Sequence, residues 1–133
     1  MDIIRKVKEL NFPEGGYVVT GSGAMDTLGI REAKDIDLVV SPKVYEKLKS
    51  EGWEEKFHDD GRTTLEKDIY EVMLTWDDIN NKANLPDLLE DARIADGVPF
   101  VNVKRLMEWK KRKGREKDLR DVELIQKHLE SQT

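Results

Sequence analysis

The stretch YVVTGSGAMDTLGIREAKDIDLVV, Tyr17 to Val40, decides how this chain is read. One apolar run ends in Gly21-Ser22, and a second carries Asp35 and Asp37 among Ile36, Leu38, Val39 and Val40. An unpaired charge buried in an apolar strand costs several kcal/mol. The two aspartates therefore stand at a sheet edge in water, or they face something positive. Strand side chains alternate between faces. Asp35 and Asp37 thus share one face, about 7 Å apart, while Ile36, Leu38 and Val40 point the other way into a core.

Carboxylates this close repel unless a cation or proton intervenes. Hard oxygen ligands of this kind suit Mg²⁺ (or Mn²⁺), which keeps several waters and is often shared with substrate phosphates. Gly21 and Gly23 lack side chains, so backbone N–H groups there can approach a ligand closely. Their turn leads into a helix start, a ready anion site, and Ser22 adds a hydroxyl donor. A triphosphate resting on Gly21-Ser22 and bridged by metal to Asp35 and Asp37 would account for both features. Chemistry with two metals calls for a third carboxylate. Glu71, alone among Tyr70, Val72, Leu74 and Trp76, is the best placed; Glu66 and Asp68 lie nearer a turn. Neither G-x-G-x-x-G nor G-x-x-x-x-G-K-[ST] occurs, which excludes the dinucleotide fingerprint and the P-loop.

Outward from this stretch, hydrophobic spacing predicts a helix over residues 2–10, a turn at NFPEGG and a strand at Tyr17–Thr20. A tight turn at Gly21–Gly23 precedes a short helix at Ala24–Leu28, and a strand follows at Asp35–Val40. A helix is expected from Pro42 to about Glu51. Strands are expected at Trp53–His58, Arg62–Lys67 and Ile69–Trp76, the first two joined by a turn at DDG. Residues 77–91 read poorly, with a short helix at Pro86–Asp91, and a short hairpin or an extended segment is expected around Gly97. Two helices, 103–113 and 115–130, flank Gly114. Leu119, Val122, Ile125 and Leu129 form the apolar stripe of the last one. The basic run Lys110–Lys113 reads as a solvated last turn, and His58 and His128 read as structural or exposed. The three tryptophans read as core or groove residues.

With 133 residues and no linker or repeat, one domain spanning 1–133 is expected. Apolar and charged residues each make up 38%, which suits a solvated surface over a modest core. No apolar run approaches the roughly 20 residues of a membrane span, and no secretory signal pattern opens the chain. Cysteine is absent, so disulfides and thiolate metal sites are excluded, and a cytoplasmic protein is expected. Lys104–Arg120 carries nine basic and three acidic residues, so the net charge of −5 splits into +6 there and −11 elsewhere. This asymmetry suggests an anionic ligand or partner near that end.

VTGS at 19–22, DIDLVV at 35–40 and a later strand acid together resemble the nucleotidyltransferase superfamily that shares the DNA polymerase β catalytic core. The closing GREKDLRDVELIQKHL resembles the last helix of its small bacterial and archaeal members, among them antibiotic nucleotidyltransferases and the nucleotidyltransferase component of toxin–antitoxin pairs. The resemblance spans residues 17–130. It implies an α+β (or α/β) nucleotidyltransferase fold: one mixed β-sheet with helices packed on it and two C-terminal helices. It implies that Gly21 and Ser22 hold the phosphates of a nucleoside triphosphate such as ATP, and that Asp35 and Asp37 hold metal. Glu71 is then the third ligand, or the base that takes the acceptor's proton. Lys117 reaches the phosphates and is oriented by Asp118 and Asp121. The sequence departs from many members in having Glu, not Asp, as third acid. The expected activity is transfer of a nucleoside monophosphate to a hydroxyl acceptor, which is a small molecule, a protein or an RNA. The alternative is a non-catalytic, antitoxin-like module of the same fold that docks a partner protein through the C-terminal helices.

Overall fold

A computed structural model describes residues 1–77 and 82–132. The elements run α1 (Ile3–Glu9), β1 (Tyr17–Thr20), α2 (Gly21–Asp26), β2 (Ile36–Val40), α3 (Pro42–Ser50), β3 (Glu54–Phe57), β4 (Thr63–Lys67) and β5 (Tyr70–Met73). They continue with β6 (Thr75–Asp77), β7 (Lys82–Asn84), α4 (Leu85–Leu89), β8 (Arg93–Ala95), β9 (Val98–Phe100), α5 (Val103–Lys113) and α6 (Glu116–Ser131). Seven strands form one sheet in the order β3-β4-β5-β2-β1-β9-β8, and β6 pairs with β7 in a separate ribbon. β2 lies antiparallel to β1 and parallel to β5, and β1 is parallel to β9. This is a mixed α+β sheet with helices packed on it and two helices at its C-terminal end.

Local chemistry sets most of the boundaries. The Asp2 carboxylate accepts the Arg5 N–H at 3.1 Å and starts α1. The Ser41 hydroxyl accepts the Val44 N–H, and Pro42 occupies the first turn of α3, where its missing N–H costs nothing. Asp96 and Gly97 both take positive φ, 49° and 81°, the pair of angles a two-residue hairpin needs between β8 and β9. Gly114, at φ 66°, ends α5 in the left-handed conformation and lets α6 turn back on it. Val18, Val19, Leu38, Val39, Leu65, Val72 and Phe100 from the central strands are fully buried, together with Leu106 of α5 and Ile125 of α6.

Four expectations change. The expected tight turn at Gly21–Gly23 is the first turn of α2, which directly follows β1. The long strand expected at Ile69–Trp76 breaks at Leu74, and its second half leaves the main sheet to pair with β7. Trp53 lies before β3, buried against the core, its ring 6.2 Å from that of Tyr70. Leu119 is 51% exposed, because α6 turns Asp118, Asp121 and Ile125 inward instead. Part of the poorly read segment, residues 78–81, lies outside the described residues; the short helix expected near it is α4. Among the described residues no helix is long and apolar enough to cross a membrane.

Candidate functional site

The parallel pairing of β2 with β5 sets Asp37 opposite Glu71, and the antiparallel pairing of β1 with β2 sets Thr20 opposite Asp37. Residues opposite one another on neighbouring strands project from the same face, with Cβ atoms about 5 Å apart. The row continues into β4, where Glu66 stands opposite Glu71. Asp35 immediately precedes β2. Both reasons for glycine at position 21 are visible at this end of the sheet. Its φ is +60°, and an added Cβ would lie 3.1 Å from Asp37 Oδ2. At Gly23 a Cβ would meet Val19 Cγ1 at 2.9 Å. The start of α2 therefore presses backbone against the Asp37 carboxylate, which only glycine permits.

A cleft of about 880 Å³ opens over these residues. Gly21, Ser22, Asp35, Asp37, Glu71 and Lys117, the six candidates from the sequence, all line it. The sheet end supplies its acidic side, and α5 and α6 form a basic wall. Burial, the Glu71 carboxylate and the Asp35 carboxylate push Asp37 up to about 7, with Arg62 and Lys110 opposing. Burial and Glu66 likewise raise Glu71, against Arg62 and His58. These carboxylates are crowded and short of positive charge. Their donors are all carboxylate oxygens, so the set fits a hard divalent cation. Beside them, a ring nitrogen of His58 and a carboxylate oxygen from each of Glu66 and Glu71 lie within 4.8 Å of one another. His58 Nε2 lies 2.9 Å from the buried Thr64 hydroxyl. His58, read as structural or exposed, makes that structural contact and also lines the cleft.

The basic wall is held by a network that sequence reading missed. Lys110 Nζ lies 2.9 Å from Asp121 and 3.7 Å from Asp118. Arg31 grips both Asp121 oxygens, at 2.8 and 3.0 Å. Arg115 Nε donates to Asp118 at 2.6 Å. Burial works to raise both aspartates, but Arg115 and Lys110 outweigh it at Asp118, and Arg31 and Lys110 do so at Asp121, so both stay below the usual carboxylate range. Asp118 and Asp121 therefore orient Arg31, Lys110 and Arg115. Among the described residues Lys117 makes no ion pair, although it lines the same cleft. Lys110 is buried rather than part of a solvated last turn. The signal was present: Asp118 and Asp121 share a helix face with Ile125, and acids on a buried face need a cation. Trp76 and Trp109 stack with ring centroids 5.4 Å apart and line the cleft, groove residues as their type suggested.

The seven-stranded mixed sheet with helices packed on it is a nucleotidyltransferase fold. Among solved structures, the crystal structure of ANT(2″)-Ia in complex with adenylyl-2″-tobramycin matches at a TM-score of 0.53. The match covers 96% of this chain and 85% of that one, at 15% sequence identity. No protein-family model and no curated protein sequence matches the chain.

Proposed function

We propose that this protein is a divalent-metal-dependent nucleotidyltransferase. It moves a nucleoside monophosphate from a nucleoside triphosphate to an acceptor hydroxyl and releases pyrophosphate. The observation that carries this reading is the register of Asp37 against Glu71, with Gly21 pressed on Asp37 at the floor of a basic-walled cleft. Asp35 and Asp37, with Glu71 beside them, would hold Mg²⁺ or Mn²⁺. The bound ion supplies charge neutralisation at the reacting phosphate. The resemblance of fold to ANT(2″)-Ia, solved with adenylyl-2″-tobramycin, agrees with nucleotidyl transfer.

The chain's own residues do the positioning. Gly21 and Ser22 cradle the triphosphate, and Lys117 faces it from α6. The acceptor's hydroxyl oxygen attacks the α-phosphorus as the bond to the bridging oxygen of the β-phosphate breaks. Where Glu71 acts as the base in place of third ligand, the hydroxyl's proton passes to its carboxylate. Phosphoryl transfer asks a protein mostly for such alignment and charge.

The test uses nucleoside triphosphates labelled at the α-phosphorus, with Mg²⁺ or Mn²⁺, and a panel of acceptors: tobramycin, RNA and protein. Transfer of label with equimolar pyrophosphate, lost in Asp37→Asn and with chelator, is the expected result. Transfer that survives both would contradict the assigned site. Binding without pyrophosphate release on any acceptor would indicate a nucleotide-binding module in place of an enzyme.

A further inference from the structure

We infer that Lys110 contacts the polyphosphate of the bound nucleotide, held in place for that contact by Asp118 and Asp121; this rests on the reading just given. Three observations lead there. Arg31, Lys110 and Arg115 share two carboxylates, Asp118 and Asp121, so the network carries one positive charge in excess. Of the three cations Lys110 is the buried one, its side chain 9% exposed against 37% for Arg31 and 52% for Arg115. An ammonium has three N–H donors. The 2.9 Å contact to Asp121 uses one; Asp118 at 3.7 Å and the Trp109 ring at 5.9 Å are looser contacts, so a donor can turn to the cleft that Lys110 lines.

That excess positive charge, set along one side of the cleft, favours an anion there. A triphosphate is such an anion. Held by two fixed aspartates, the ammonium has little freedom to lose when it binds, unlike Lys117 on its flexible stem. The same ammonium lies near enough to Asp37 to act on its charge. It should therefore repel a bare metal ion and attract a phosphate, two effects of opposite sign.

The experiment exploits those signs. Wild type, Lys110→Met and Asp37→Ala are titrated with Mn²⁺ alone, by electron paramagnetic resonance, and with magnesium tripolyphosphate, by calorimetry. Lys110→Met should weaken tripolyphosphate roughly 10–100-fold, the worth of one charge-assisted hydrogen bond. It should leave Mn²⁺ affinity unchanged or higher. Both affinities falling together would mean a structural role and would overturn the inference, as would tripolyphosphate affinity within about 2-fold of wild type. If Asp37→Ala loses binding while Lys110→Met keeps it, this inference alone fails. If wild type binds no tripolyphosphate with metal, the proposed function fails and takes the inference with it. Should Lys110→Met melt below the assay temperature, Lys110→Gln, which can still hydrogen-bond Asp121, is read in its place.

Discussion

Gly21 answers to two constraints at once, a positive φ and an Asp37 oxygen where a side chain would begin. Gly21→Ala should cost about 1–2 kcal/mol from the left-handed backbone alone, read as a shift of the urea midpoint. It should also displace Asp37, so metal affinity falls further than stability does. Asp37 makes a second prediction, in pH. In the folded chain it holds its proton up to about pH 7, whereas an unfolded aspartate releases it near about pH 4. Between those values the native state binds the extra proton, so this group's contribution makes the metal-free protein less stable as pH rises. Asp37→Asn should therefore raise the metal-free melting temperature by several degrees at pH 8 and by clearly less at pH 5. In wild type, metal affinity should climb as pH rises through 7. A gain from Asp37→Asn independent of pH would mean that the carboxylate is not crowded as described.

At the scale of elements, α6 shows what the sequence can and cannot reveal. Its helical period was plain, and the glycine before it marked its start. Its inward face was misjudged, because Leu119 looks like core and Asp118 looks like surface until α5 supplies Lys110. Burial of a charge depends on a partner from another element, which periodicity within one element does not show. Asp118→Ala should leave the buried Lys110 to Asp121 alone and release the half-exposed Arg115, costing about 1–3 kcal/mol in chemical denaturation. Strand β5 teaches the same lesson. The run from Ile69 to Trp76 has continuous strand character, yet it breaks at Leu74 because β6 pairs with a different neighbour. By contrast, several elements of the main sheet were legible. β1, β2 and the Asp96-Gly97 hairpin carry their own local signals in apolar runs and turn residues. That Glu71 falls opposite Asp37 is a matter of register between strands distant in sequence, and only the alternation of faces hinted at it.

For the whole molecule, the sheet is the shared scaffold. β2 and β1 sit at its middle, flanked by β5 and β9, so the two acids on or beside β2 rest on its best-buried part. If the chain folds as one unit, calorimetric unfolding should show a single transition with matching calorimetric and van 't Hoff enthalpies. The opposed sides of the cleft, carboxylates from the sheet and cations from α5 and α6, explain why a net acidic chain concentrates positive charge near its end. The measurement that tests this account most directly is calorimetric titration of nucleoside triphosphates into wild type and Asp35→Ala/Asp37→Ala, with Mg²⁺ and with chelator. The account predicts binding that requires the metal and vanishes in the double variant. Triphosphate binding of equal strength in both proteins, indifferent to chelator, would contradict it.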